Sequence, residues 1–125
     1  MFSLFKRKKA QLKDFYAEIA EGDQTTQASL GLRDIPIHSI IGSVGRAHEL
    51  DTQFRSKLRG WSERHQRITA LMQQGKPLPP IKLFLLQSSK NAEYYIFDGH
   101  HRVAAALQVG FKTINAEVTE VKLIA

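Results

Sequence analysis

The chain has 125 residues, a length that usually corresponds to one domain. Hydrophobic residues make up 42% of it and charged residues 24%, which are ordinary values for a globular protein and argue against wholesale disorder. The lack of cysteine excludes disulfides, thiolate metal ligands and thiol nucleophiles. No apolar stretch approaches the ~20 residues of a membrane span, and the first residues lack the apolar core of a secretory signal. We therefore expect a cytoplasmic protein without a transmembrane segment.

The net charge of +6 is concentrated at the start of the chain. Residues 1–13 contain five basic side chains and no acidic one, so the remaining residues carry a net charge of only +1. A basic segment of this kind is typical of an arm that contacts nucleic acid or an anionic membrane, and equally of a solubilising terminus. The sequence leaves these alternatives open.

The first third of the chain predicts an arm, a linker and the start of a domain. Residues 12–19 place four apolar side chains at helical spacing, which predicts a short amphipathic helix. The segment GDQTTQASLG that follows is polar and flanked by glycines, which predicts a linker over residues 22–31. Residues 1–21 are then a basic amphipathic arm, and the domain spans residues 32–125.

Within the domain, strand-like and helix-like segments alternate. The runs IKLFLL and YYIF are close enough in sequence to form a hairpin. Pro36 indicates that the first strand either lies at an edge or begins inside its run, because proline cannot donate to a ladder. We expect an α+β (mixed α/β) fold, a small sheet flanked by helices. The predicted strands are 33–41, 81–86, 94–97 and 113–121, and the predicted helices are 61–74 and 101–109.

The stretch YYIFDGHHR, residues 94–102, predicts a strand that runs through a glycine turn into a helix. The first N–H groups of a helix are unpaired and carry partial positive charge, so such a junction can bind an anion. Arg102 supplies a planar fork for phosphate oxygens, His100 and His101 add donors, and Gly99 permits close approach of the backbone. Asp98 has two open roles, as the helix N-cap or as a magnesium ligand beside a polyphosphate. The alternative is an ordinary turn in which Arg102 makes a surface ion pair.

The order of motifs around this junction resembles the ParB/sulfiredoxin superfamily. The resemblance covers roughly residues 32–121 and rests on PPIKLFLL, on YYIFDGHHRVAAALQVG, in which Gly99, Arg102 and Ala105 match a GxxRxxA pattern, and on INAEV. It implies a ParB/sulfiredoxin-like sheet domain, here a free-standing member with a DGHHR box, that binds ATP, ADP or CTP with Mg²⁺. The implied phosphate-binding residues are Gly99, His100, His101 and Arg102, joined by Asp98 at the metal and by Gly42, Ser43 and Arg46 from the loop after the first strand.

Departures from the family pattern exclude two of the functions found in this superfamily from the expectation. His100 occupies the position of the sulfiredoxin cysteine, so reduction of sulfinic acids is not expected. The sequence ends at Ala125 without a helix-turn-helix region, so centromere-type DNA recognition is not expected either. Free-standing members with a similar box look like small-molecule kinases whose base lies in the loop after the first strand. Glu49 and Asp51 lie in that loop here and are the candidate catalytic residues of a Mg²⁺-dependent hydrolase or kinase.

Other residue clusters leave further hypotheses open. The segment RSKLRGWSERHQR, residues 55–67, holds five basic residues and one acidic one, so a nucleic-acid-binding module or ParB-like nuclease is the alternative function. A non-catalytic interaction domain that uses the basic arm is a third reading, and a homodimer is compatible with each. His100 and His101 are adjacent on a helix, about 100° apart, so they do not predict a shared zinc ion.

Overall fold

A computed structural model describes residues 12–19, 24–54, 63–87 and 92–123. They form six strands and three helices, with short 3₁₀ turns at Ile37–Ser39 and Ala47–Glu49. The strands are β1 (Lys13–Asp14), β2 (Thr25–Pro36), β3 (Ile40–Ser43), β4 (Ile81–Gln87), β5 (Ala92–Asp98) and β6 (Thr113–Leu123). The helices are α1 (Phe15–Glu18), α2 (Glu63–Gln73) and α3 (His100–Val109).

The six strands form one mixed sheet in the order β1-β3-β5-β4-β6-β2. β1, β3 and β5 run parallel, β4 is antiparallel to β5 and parallel to β6, and β2 is antiparallel to β6. The predicted α+β class and the β4–β5 hairpin are therefore confirmed. Because β3 and β5 are parallel neighbours, their carboxyl ends at Ser43 and Asp98 lie at the same edge of the sheet.

The two faces of the sheet bury different cores. On one face, α3 packs its small and branched residues, Val103 to Ala106, together with Met72 of α2 against β4 and β6. On the other face, Phe15 of α1 packs against Tyr95 and Phe84, with T-shaped ring contacts at 5.4 and 5.2 Å. The alanines of α3 bring its backbone close to the sheet, which places the start of this helix directly at the end of β5.

The segment predicted as a linker over residues 22–31 is strand from Thr25 onward. β2 pairs with β6 continuously from Thr25 opposite Leu123 to Pro36 opposite Thr113, with a register shift at Gly31. The side chains of β2 are mostly exposed because β2 is an edge strand. Its sequence therefore lacks the alternation of apolar residues that marks a half-buried strand. Backbone pairing, which the side chains do not reveal, makes this segment part of the sheet.

The segment 12–19, predicted as a helix in an appended arm, belongs to the body of the domain. Lys13 and Asp14 form a parallel pairing with Gly42 and Ser43, and the helix that follows has a single turn whose N-cap is Asp14. The spacing of apolar residues indicated the helix, but the strand before it depends on a partner that is distant in sequence. The prediction of an appendage is wrong for this segment.

Several expectations lie outside the described residues. These are the basic arm over residues 1–11, the start of the basic patch and of the predicted helix over residues 55–62, and the hairpin turn over residues 88–91. Helix α2 is described from Glu63 onward. Within the described ranges, no helix is both long enough and apolar enough to cross a bilayer.

Candidate functional site

The junction between β5 and α3 is a tight glycine turn. Gly99 is the N-cap of α3 in the left-handed region, with φ 112° and ψ 25°. A Cβ at this position would lie 2.5 Å from Cγ2 of Ile81, so both the conformation and the space require glycine. No side chain caps the helix, and the predicted capping role of Asp98 is therefore wrong. The first N–H groups of the ten-residue helix α3 are therefore not bonded to a capping side chain.

His100 connects this junction to the end of β3. Its Nε2 lies 2.7 Å from Oγ of Ser43 in a buried hydrogen bond, and the backbone N–H of Arg46 also donates to this Oγ at 3.2 Å. Burial, then the positive charges of Arg46 and His101, lower the pKa of His100 to about 4. His100 is thus a neutral structural residue at neutral pH. The fully buried Ser43 is out of reach of a substrate, so this pair fixes the loop after β3 against the start of α3.

His101 lies in the first turn of α3, where the charges of two arginines act on it. Burial, then the positive charges of Arg64 and Arg46, lower its pKa below the ordinary histidine value. Arg46 comes from the loop after β3, as the family resemblance implied, whereas Arg64 comes from the first turn of α2. The sequence located Arg64 only as one member of the basic segment 55–67. Only the packing of α2 against α3 places it at this site.

Arg102 is bonded to the segment before β4 and to Asp98. Its Nη1 donates to the carbonyl oxygens of Pro79 at 2.7 Å and Pro80 at 3.1 Å, and its Nη2 lies 3.5 Å from the carboxylate of Asp98. These contacts hold the segment before β4 against the first turn of α3. Arg102 therefore already has partners in the fold, which the spacing of the DGHHR box could not reveal.

Gly42 has a role in packing. A Cβ on it would overlap the backbone carbonyl oxygen of Lys13 and lie 2.7 Å from the ring of Tyr95. Gly42 therefore lets β1 pair with β3 over the Tyr95 ring. It sits inside the sheet, while its sequence neighbours Ser43 and Arg46 extend to the start of α3.

The two carboxylates proposed for catalysis lie in different settings. Glu49 is exposed, and its Oε2 lies 3.5 Å from Nε of Arg46, so it borders the site through that arginine. Oδ1 of Asp51 accepts a hydrogen bond from the N–H of Gln53 at 2.9 Å, which stabilises the turn toward the buried Phe54. The structure therefore places Glu49 beside Arg46, whose backbone N–H donates to Ser43.

The described residues contain no group of three or more carboxylate, histidine or cysteine side chains that could hold a metal ion. Asp98, the predicted magnesium ligand, is exposed and faces Arg102. These residues do not fit an ion held by the protein alone.

A cavity of about 580 Å³ adjoins the first turn of α3. Its volume lies within the range of small-molecule sites. It contains three cationic and two anionic side chains, so a charged ligand would find partners of both signs. The lining residues are Arg64, Ile68, Leu78, Pro79, Pro80, Lys82, Asp98, Arg102 and Glu117.

No protein-family model matches the chain, and no curated protein sequence matches it. Among solved structures, the fold is similar to that of a sulfiredoxin from Arabidopsis thaliana, with 19% identity and a TM-score of 0.49, over 73% of this chain and 86% of that one. It is also similar to a Pnob8-like ParB-N domain, with 12% identity and a TM-score of 0.47, over 78% of this chain and 31% of that one. These are the two kinds of protein that the sequence resemblance named.

Proposed function

We propose that this chain binds a phosphorylated small molecule, and specifically a nucleotide, at the start of α3. The phosphates would lie against the first N–H groups of α3, between the loop that carries Arg46 and the first turn of α2 that carries Arg64. The observation that carries the proposal is the uncapped start of α3 behind the Gly99 turn, to which Ser43, bonded both to His100 and to the N–H of Arg46, ties the loop that carries Arg46.

The physical reason is that two arginines add their charge to a helix N-terminus. Like charges placed together at a helix N-terminus, where partial positive charge is already present, repel one another. Glu49 offsets part of the charge of Arg46, but it is exposed and hence screened by water. A bound phosphate would relieve the repulsion and would receive charge-assisted hydrogen bonds from both arginines.

The neighbouring cavity supports a ligand larger than inorganic phosphate. Arg64 both lines this cavity and acts on His101, so one molecule could place its phosphates at the helix and its remaining part in the cavity. ATP, ADP and CTP are the nucleotides to be tried first. Mg²⁺ would be bound mainly by the phosphates, since Asp98 is paired with Arg102.

Thermal unfolding in the presence of ATP, ADP or CTP, each with and without Mg²⁺, tests this proposal. A ligand at 100 times its Kd adds about 2.7 kcal/mol to the free energy of unfolding. We expect stabilisation by at least one of these nucleotides. We further expect Arg46→Ala to weaken its binding by about tenfold or more, because a hydrogen bond to a charged group is lost.

Arg33→Ala is the matched control. Arg33 is exposed on β2, an edge strand that three other strands separate from β3. Its loss should therefore leave nucleotide affinity unchanged. The proposal fails if no nucleotide raises the melting temperature, or if the two arginine variants bind equally well.

Hydrolysis or transfer of the terminal phosphate would be a further step. Glu49 would accept a proton from the attacking water or hydroxyl group, while the nucleoside diphosphate leaves. Phosphate release by the unchanged chain and by Glu49→Gln would test this step. A turnover that Glu49→Gln retains in full would exclude Glu49 as the base.

A further inference from the structure

A second cavity, of about 260 Å³, lies beside the ends of α2 and α3. Apolar side chains form much of its wall, among them Met72, Leu78, Ile81 and Ile114. Met72 and Ile81 belong to the buried core, so this part of the wall is held in place by packing. Because a cavity of about 150 Å³ already takes a benzene ring, the volume here is sufficient for a ligand of one or two rings.

Both helices end beside this cavity in a glycine turn. Gly75 after α2 and Gly110 after α3 have positive φ, at 71° and 95°. The N–H of Lys76, which follows Gly75, donates to a carbonyl oxygen of α2 at 3.0 Å, and the N–H of Phe111, which follows Gly110, donates to one of α3 at 2.9 Å. These bonds are typical of glycine-terminated helices. They fix the backbone of Lys76 and Phe111, and both residues line the cavity.

Phe111 gives the cavity an apolar rim that is open to water. It is 44% exposed, whereas Met72 in the same wall is buried. A single exposed aromatic residue is common on protein surfaces and does not by itself indicate a site. Here, however, the ring adjoins a cavity, so an apolar ligand seated there would cover it and gain the free energy of removing both surfaces from water.

The charged side chains in the wall have the same sign. They are Lys76 and Arg102, and no carboxylate is found among the described residues that line this cavity. Nη1 of Arg102 donates to two backbone carbonyl oxygens, and its Nη2 has a 3.5 Å contact with the exposed carboxylate of Asp98. Its Nε–H has no partner among the described residues, so Arg102 can still donate to a ligand. The ligand that complements this wall is an anion.

We propose that the cavity binds a small organic acid, with one carboxylate on an apolar body of one or two rings. The carboxylate accepts hydrogen bonds from Lys76 and Arg102, and the apolar body lies against Phe111 and Met72. Inorganic phosphate would leave the apolar wall uncovered, and a neutral apolar molecule would leave both cations without a partner. Arg46 does not line this cavity, so the proposal does not rest on the nucleotide site.

Three probes with the same apolar body and different charge distinguish a site for acids from an apolar cleft. They are naphthoate, naphthamide and naphthylmethylammonium, each titrated into the full-length chain labelled at its methionine and isoleucine methyl groups for NMR. We expect naphthoate to bind at least about threefold more tightly than naphthamide, and the cation to bind most weakly. The methyl signals of Met72 and Ile114 should shift, whereas that of Ile41, in the core on the other face of the sheet, should not.

Two variants locate the bound acid. Phe111→Ala should weaken naphthoate binding about fivefold through the lost apolar contact, and Lys76→Gln about threefold, because the contribution of an exposed charge is small. The matched controls are Phe97→Ala and Lys122→Gln, since both side chains are exposed and neither lines the cavity. Both should bind naphthoate like the unchanged chain.

Three results would each overturn the proposal. The first is equal affinity for naphthoate and naphthamide, which would remove the role of the charge. The second is binding that leaves the Met72 methyl signal unshifted, and the third is equal naphthoate affinity in Phe111→Ala and Phe97→Ala. Since Phe111 and Lys76 are exposed, we expect their variants to fold, and the NMR spectrum of each variant checks this directly.

Discussion

At the scale of single residues, His100 couples the site to pH. Burial lowers its pKa from the ordinary 6.5 to about 4 in the folded chain. Between these two values the unfolded chain binds a proton that the folded chain does not, so stability is complete above pH 6.5 and declines as the pH falls toward 4. We expect His100 to account for about 2 kcal/mol of stability lost between pH 7 and pH 5.

Urea unfolding at pH 7 and pH 5 measures this loss. His100→Gln should reduce the difference between the two pH values, whatever its effect on stability at pH 7. His38→Gln provides the control, because His38 is exposed in the turn after β2, and the pH dependence should survive this change. An unaltered pH dependence in His100→Gln would show that His100 is not the group responsible.

Individual residues also show how much of the candidate site the sequence could predict. The DGHHR box indicated a phosphate site because a glycine before a helix is a local feature, and the structure retains that junction. It could not indicate that Arg102 donates to Pro79 and Pro80, because those contacts form only when the segment before β4 packs on α3. Arg64 was not assigned to the site for a similar reason, since its position depends on how two helices pack.

At the scale of elements, the β5–α3 junction depends on Gly99. We expect Gly99→Ala to cost about 2–4 kcal/mol of unfolding free energy. Part of the cost comes from placing a Cβ at positive φ, and the rest comes from its overlap with Ile81. Because the substitution moves the first turn of α3, it should also weaken nucleotide binding.

Gly31→Ala separates the two contributions to that cost. Gly31 also has positive φ, at 76°, but a Cβ there would meet no atom within 4 Å. Its substitution should cost only about 1–2 kcal/mol in urea unfolding. If the two variants are equally destabilised, the overlap with Ile81 contributes nothing.

At the scale of the whole molecule, the first described segment is part of the core. Phe15 is 4% exposed and packs against rings from β4 and β5, so we expect Phe15→Ala to lower the free energy of unfolding by about 3–5 kcal/mol. Chemical denaturation gives this value directly. The result would separate a domain that includes this segment from one that begins near residue 32.

Tyr16→Ala is the neighbouring control. Tyr16 is 62% exposed and makes an edge contact with Phe15, so its removal should cost about 1 kcal/mol or less. Similar small losses for both variants would mean that α1 is the appendage expected from the sequence.

The sequence by itself determined the local features of this protein: the hairpin strands, the helix α3 and the glycine turn in front of it. Each depends on side-chain periodicity or backbone freedom within a few neighbouring residues. Only the tertiary structure decided that residues 25–31 form strand and that β1 lies beside β3, since both depend on backbone pairing with distant partners. It likewise decided that Arg64 of α2 and Arg102 of α3 line one cavity, because the packing of the two helices brings them together across a long stretch of chain.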